Sequence, residues 1–217
     1  MSLLFTASQQ TTRTTALAGD TEFTIMVRAK INAANATQTF DLISEWETLG
    51  RSSFRLNWSN GQILGILQYS YPVLIILVRH DVIQSGFTGA VADRWYHIAA
   101  TFQNKTLTVY VDGVAGNVVS HTNTTLTPTS ATIGAQRTGT SSYSNYMRGE
   151  LSDYRVYSTA LTPEAIQTIA TLEGTDTYNE FLRGRWSLMG PPGVTPTILD
   201  DQSVNNVSLT TSGIPFG

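Results

Sequence analysis

Two pairs of acids stand close enough in the sequence to raise hydrolytic chemistry. Glu45 and Glu47, in Glu45-Trp46-Glu47, are offset by two and so share one face of an extended strand. Two carboxyls about 5–5.5 Å apart are what retaining glycoside hydrolysis requires, one as nucleophile and one as acid/base. Glu150 and Asp153 are offset by three, which sends them to opposite strand faces. The Glu45/Glu47 pair falls at a strand end and is read as ordinary solvent-facing charge. No catalytic residue is assigned. His80, His97 and His121 form no ligand-spaced pair, and neither a glycine-rich phosphate loop nor a Ser-His-Asp arrangement can be drawn.

Two binding chemistries remain. Asp201, Ser203 and Asn205 supply oxygens at positions 1, 3 and 5 of an EF-type calcium loop. Asn206 stands where that loop needs glycine, Ser212 where it needs glutamate, and no helices flank it. An Asx-rich turn is the preferred reading, and calcium is the only cofactor considered. Sugars favour aromatic platforms on loops. Tyr69 and Tyr71, just before Pro72, and Tyr143 and Tyr146, in the polar stretch 137–146, are the candidate glycan contacts. Their alternative role is a rim or subunit contact. Trp46 and Trp58 are also in view, with core packing the reading for both.

The elements that must position these residues are strands. In Asp93–Gly116, Tyr96, Ile98, Ala100 and Phe102 share one face, with Trp95, His97, Ala99 and Thr101 on the other. Leu107, Val109 and Val111 alternate with Thr106, Thr108 and Tyr110 in a second segment. Gln103-Asn104-Lys105 joins them, and Asp112-Gly113 gives a tight turn into a third strand at Val114–Ser120. Phe23, Ile25, Val27, Ala29 and Ile31 form another alternating set, and Asn60-Gly61 centres a hairpin between Ser53–Trp58 and Ile63–Tyr69. Val73-Leu-Ile-Ile-Leu-Val78 reads as one fully buried strand, guarded by Pro72 and by Arg79-His80-Asp81. A single helix is expected over Thr162–Leu172: Thr162 as N-cap, Pro163 at the first helical position, Glu164 at the positive dipole end.

Three stretches carry a resemblance. Trp95-Tyr-His-Ile-Ala-Ala-Thr-Phe with Leu107-Thr-Val-Tyr-Val-Asp-Gly113 resembles the central signature of laminin-G-like domains. Thr21-Glu-Phe-Thr-Ile resembles a second family strand, though it lacks the Trp usual near Met26 or Val27. Gly149-Glu-Leu-Ser-Asp-Tyr-Arg-Val-Tyr157, followed by Ala160-Leu-Thr and a short helix, is similar to a third. The resemblance covers about residues 20 to 210. It implies an all-β, two-sheet antiparallel jelly-roll sandwich of the concanavalin A-like lectin/glucanase superfamily, with one short helix in its C-terminal half. Glu45 and Glu47 lack the third acid of that superfamily's hydrolases. Residues 1–217 are expected to form one domain, with 184–217 closing the sandwich from the far end of the chain.

Composition narrows the function. Of 217 residues only 13% are charged, the net charge is −3 and there is no cysteine. Disulfide and thiolate-metal frameworks are thereby excluded, and no electrostatic footprint for nucleic acid is present. Residues Met1–Ser8 lack the basic and long apolar regions of a signal peptide, and no apolar run reaches membrane-spanning length. A Thr/Asn/Gly-rich uncharged surface, with a fold resembling modules of phage capsids and tail fibres, leads to the expectation of a non-enzymatic virion surface protein. Its partners would be other virion subunits or copies of itself, and cell-surface glycans, with no membrane insertion. The alternative is a free, extracellular carbohydrate-binding lectin module, and the third reading is a glycan hydrolase. Neither Met1–Ser8 nor Ile214–Gly217 has the pattern to hold itself, so each is expected to lean on the sandwich or a neighbour, and trimming both to leave the domain folded.

Overall fold

The structure, a computed structural model, is described over residues 1–6, 8–13, 21–47, 51–73, 76–120, 128–171, 178–203 and 205–217, with side chains described for these residues except 47, 51–53 and 68–85. In chain order the strands are β1 (Leu3–Phe5), β2 (Thr11–Arg13), β3 (Phe23–Ile31), β4 (Thr39–Glu47), β5 (Arg51–Ser59) and β6 (Gln62–Val73). Next come β7 (Ile76–Thr88), β8 (Trp95–Gln103), β9 (Thr106–Val111), β10 (Val114–Ser120), β11 (Pro128–Ile133) and the short pair β12 (Gln136–Arg137) and β13 (Tyr143–Ser144). The last are β14 (Gly149–Tyr157), helix α1 (Pro163–Thr171), β15 (Leu182–Trp186), β16 (Ile198–Leu199) and β17 (Leu209–Thr211).

Seven strands form one antiparallel sheet in the order β1-β14-β3-β8-β9-β10, with β15 continuing along the β14 edge beside β1. Eight form the other, ordered β16-β17-β2-β11-β4-β5-β6-β7. The expected jelly-roll sandwich is therefore present. Its local origin is clearest at three hairpins. Asn60-Gly61 (φ 47° and 75°), Asn104-Lys105 (50° and 68°) and Asp112-Gly113 (51° and 81°) each place two residues at positive φ between paired strands. That is the two-residue turn whose twist matches the strands it joins.

The inward residues of both sheets make one core. Phe23, Ile25, Val27, Ala29 and Ile31 of β3 meet Ile98, Ala100 and Phe102 of β8 and Phe54, Leu56 and Trp58 of β5. Phe23 stacks edge-on against Phe54 with ring centroids 5.3 Å apart. The helix lies outside, on the seven-stranded sheet. Thr162 Oγ1 accepts from Ala165 N–H at 3.2 Å as its cap, and Ala165, Ile166 and Ile169 press on Met26, Ala99, Tyr110 and Tyr157.

Three expectations change. The run Val73–Val78 is not one strand: Val73 pairs with Ile76 and Pro72 with Leu77, so the chain reverses within it, residues 74 and 75 lying outside the described set. The terminal segments are held by the sandwich and by each other. Leu3 pairs with Leu151 and Phe216, Leu4 N–H donates to Pro215 O at 2.9 Å, and Leu3, Phe5, Ile214 and Phe216 belong to the core. Trimming both ends would thus remove core residues, contrary to the expectation of a domain left intact. The third change concerns Glu45, which faces inward and is fully buried.

Glu45 meets Arg13 of β2 between the sheets. Arg13 Nη2 donates to both Glu45 oxygens at 2.9 and 3.2 Å, and Arg13 Nη1 donates to Tyr154 Oη at 2.9 Å. Tyr154 hydrogen-bonds Glu45 in turn and stacks on Trp186 at 5.0 Å. Removing one member of a buried pair strands the other charge, whereas replacing all the polar members by apolar groups does not. Arg13→Met should therefore cost about 3–5 kcal/mol. The triple change Arg13→Met, Glu45→Leu, Tyr154→Phe should recover most of it. Urea melts of both variants check this, and a triple variant as unstable as the single would contradict it.

Candidate functional site

The sequence-derived candidates do not converge. Tyr143 and Tyr146 are half-buried, the first on β13 and the second just after it. The β12–β13 hairpin is fastened to β4: Asp41 N–H donates to Asn145 O at 3.0 Å, and Asn145 Nδ2 donates to Asp41 Oδ2 at 3.0 Å. Arg137 of this hairpin stands 4.9 Å from the Trp46 ring and donates to Ser130 Oγ at 2.7 Å. Trp46 is buried as expected, but beneath Arg137 and outside the main core, whereas Trp58 lies within it. Tyr69 and Tyr71 lie on β6, and their side chains, like that of His80, are outside the described set, as is His121 altogether.

The calcium candidates form a structural latch. The Asp201 carboxylate accepts from Arg185 N–H and Ser203 N–H (both 2.8 Å), from Ser203 Oγ (2.7 Å) and from Val207 N–H (3.1 Å). Asn205 Nδ2 donates to Arg183 O at 2.8 Å. These bonds tie the segment before β17 to β15, and they engage both Asp201 oxygens and the Ser203 hydroxyl.

The acids are occupied too. Glu45 is sealed in the interior, and the side chain of Glu47 lies outside the described set. Glu150 pairs with Lys30 and accepts from Ser2 Oγ. Asp153 accepts from Arg155 Nε at 2.9 Å and from Arg185 Nε at 3.3 Å. A bulge in β14 at Asp153 (φ 52°) resets the alternation, so that Leu151 and Tyr154 both face the core and Ser152 and Arg155 both face out.

The face of greatest chemical interest lies just before that bulge. Arg28 and Lys30 of β3 and Trp95 and His97 of β8 point outward, with Lys30 opposite Trp95 and Arg28 opposite His97. On the other side of β3, Arg28 stands opposite Ser152 and Lys30 opposite Glu150. The helix covers one end of this face. At the other, Arg28, Trp95, Glu150 and Ser152 line a cleft of about 290 Å³ bounded by Met1, Ser2, Met189 and Gly217. The Arg28 guanidinium carbon is 6.0 Å and Lys30 Nζ 5.5 Å from the centre of the Trp95 ring. Burial, with the Arg155 charge behind it, holds the His97 imidazole down to about 4, so it is neutral at pH 7. The cleft thus combines a half-buried aromatic ring, cations and a hydroxyl, the means by which proteins hold polar ligands with one apolar face. Sequence reading missed it because its members come from three strands. The alternation that put Trp95 outward was visible, but the β3–β8 register that brings Arg28 and Lys30 beside it was not.

Comparison with known proteins agrees with this architecture. A laminin-G family model, described as Concanavalin A-like lectin/glucanases superfamily, matches residues 5–167. The chain belongs to this superfamily. No curated protein matches the sequence. Among solved structures, a candidate carbohydrate-binding protein of Bacteroides ovatus ATCC 8483 is similar with a TM-score of 0.72 at 16% identity, over 100% of this chain and 61% of that one. A native heptameric SAP-like pentraxin of Limulus polyphemus gives 0.65 at 18% identity, over 99% and 94% of the two chains. The botulinum neurotoxin serotype D ligand-binding domain in complex with N-acetylneuraminic acid gives 0.57 at 12% identity, over 79% and 44%. At these identities the likeness is one of fold, and the chain spans about three-fifths of the length of the Bacteroides protein.

Two predictions follow from the groups described. Asp201→Ala should destabilise the protein by about 2–3 kcal/mol, since the backbone N–H groups of Arg185, Ser203 and Val207 are left without their acceptor. Calcium or a chelator should leave the melting temperature unchanged; a calcium-dependent rise would restore the metal reading. The second concerns pH. Burial pushes Asp41 up to about 6, against the pull of Arg55 3.5 Å away and of Asn145, so the folded state gains stability relative to the unfolded as pH falls from 6 towards 3.8. His97, depressed from 6.5 to about 4, loses stability over nearly the same window. The two oppose each other in wild type. Relative to wild type, Asp41→Asn should grow less stable on acidification from pH 7 to 4 and His97→Gln more stable, each by up to about 3 kcal/mol. Melts across this range test it, and parallel curves for all three proteins would contradict it.

Proposed function

We propose that this chain is a non-enzymatic structural or adhesion protein of a phage virion, a capsid decoration or a tail or fibre component, that contacts host glycans. The observation that carries the glycan part is the cleft at Arg28, Trp95, Glu150 and Ser152, where an aromatic ring, charged groups and a hydroxyl meet on an open sheet face. The superfamily, and the carbohydrate chemistry in the descriptions of the Bacteroides protein and the toxin domain, support it. The non-enzyme reading rests on Glu45, the acid of the one same-face pair, being held by Arg13 and Tyr154 where no substrate reaches. Partner subunits at the virion surface are supported by β10, a sheet-edge strand that exposes Val114 and Val118 at 59% and 60%. Membrane insertion forms no part of this reading; the described helix has nine residues, far short of a bilayer span.

A free lectin module is the second reading, favoured by the carbohydrate binding in the description of the Bacteroides protein, whose fold this chain shares over its whole length. Sedimentation of the purified chain, alone and with capsid or tail components, separates the two. A virion protein co-sediments with the particle, and a protein that binds glycans on an array but never co-sediments is the lectin. Release of reducing sugar from β-glucans by the purified chain, lost in a folded Glu47→Gln variant, would overturn the non-enzyme reading.

A further inference from the structure

We propose that the cleft beside Trp95 binds a carboxylated sugar such as a uronic acid, with the carboxylate on the Arg28 guanidinium and an apolar face of the sugar ring on Trp95. The proposal rests on the glycan-contacting reading and narrows it to one site and one ligand class.

It begins from an imbalance of charge. Four other cations on this side of the sheet have carboxylates of their own. Lys30 pairs with Glu150, Arg155 and Arg185 share Asp153, and Arg94 meets Asp112 at 2.7 Å. Arg28 has none among the described residues; its contact is the Trp95 ring, and no hydrogen bond or ion pair engages its five N–H donors. Its flanking positions in the sheet are a serine and a neutral histidine, not acids. A half-buried guanidinium is a strong donor set only partly served by water, and its planar fork matches a carboxylate with two parallel hydrogen bonds.

The neighbours favour a sugar over a bare anion. Glu150 lines the same cleft, and burial alone would raise its carboxyl. The Lys30 and Ser2 hydrogen bonds outweigh burial and hold it below the ordinary range. It is therefore ionised with its charge answered by Lys30, and its remaining lone pairs can accept from sugar hydroxyls. The Ser152 hydroxyl, opposite Arg28 in register, has no hydrogen-bond partner among the described residues and offers a further donor and acceptor. Trp95 supplies the flat apolar surface against which the C–H face of a pyranose packs. At about 290 Å³ the cleft lies at the small end of ligand pockets, the scale of one sugar ring rather than a buried oligosaccharide.

The test compares sugars that differ only in the carboxylate. The full chain is titrated with methyl β-D-glucuronide, with methyl β-D-glucoside and with acetate, following the Trp95 indole N–H by NMR and assigning it through Trp95→Phe. The glucuronide should move the Trp95 signal and bind at least about tenfold more tightly than the glucoside, the worth of one charge-assisted bidentate contact. Arg28→Gln should abolish that preference, and Arg28→Lys, which keeps the charge, should retain part of it. Equal binding of glucuronide and glucoside, undiminished glucuronide binding by a folded Arg28→Gln, or acetate binding as tightly as glucuronide would each overturn the proposal. A wild-type Trp95 signal that no glucuronide moves would also overturn it. If neutral glycans on an array still bind in that event, the glycan-contacting reading survives; if none bind, both fall together.

Discussion

A charge pair closed between two sheets governs the alignment of everything else in this protein. Arg13 comes from β2 and Glu45 from β4, strands separated by β11 in the eight-stranded sheet, and Tyr154 comes from β14 in the other. Taking both ions out of water costs several kcal/mol each, which only close geometry offsets. Here the geometry is a closed triangle of hydrogen bonds, roofed by Trp186, whose ring centre lies 5.9 Å from the guanidinium carbon. A one-residue slip of β2 or β4 would turn Arg13 or Glu45 to the opposite face and leave its partner alone in the core. The pair therefore contributes less to net stability than to the choice of one register.

That register is passed outward through bulges. β14 must pair with β3 along its length while presenting Tyr154 to the Arg13–Glu45 pair and Leu151 to the core. With strict alternation these two, offset by three, could not both face inward. The extra residue at Asp153 resolves the conflict, and its carboxylate then gathers Arg155 and Arg185 on the outer face. The interior ion pair and the exterior charge network are thus two results of one irregularity. The cleft beside Trp95 inherits its geometry from the same strand, since Ser152 and Glu150 stand before the bulge, in register with Arg28 and Lys30.

What could be read from the sequence follows from this. Strands with uninterrupted alternation, such as Phe23–Ile31 and Trp95–Phe102, declared both faces correctly, and turns needing positive φ declared themselves through Asn-Gly and Asp-Gly. The capping of α1 by Thr162 was equally local. Glu45 misled because register shifts within β4, between Asp41 and Ile43 and again between Glu45 and Trp46, alter the phase without any mark in composition. The run Val73–Val78 misled because apolar residues on both sides of a reversal look like one continuous strand. The cleft was hidden for a different reason. Every one of its residues was visible, but their meeting depends on pairings between strands distant in sequence, and single-strand periodicity carries no information about partners.

The same separation of interior from exterior explains how the fold can hold an unanswered cation at its surface. Marginal stability punishes an unpaired charge most where the dielectric is lowest, and the charges there, Arg13 and Glu45, are matched with the fewest free valences. On the outer face water still reaches Arg28, so leaving it without a carboxylate costs little in the unliganded protein. Adding an acid opposite it, at the position of Ser152 or His97, would have been the simplest way to complete the network already formed by Lys30, Arg94, Arg155 and Arg185. A serine and a neutral imidazole stand there instead. Opposite Lys30 on the same strand pair is Glu150, so the backbone geometry at this place readily accommodates an acid. The contrast between Lys30 and Arg28, two residues apart on one strand face, is therefore one of side-chain choice and not of fold. It leaves Arg28 as a donor set on this face that an external carboxylate can claim without breaking a bond described for it.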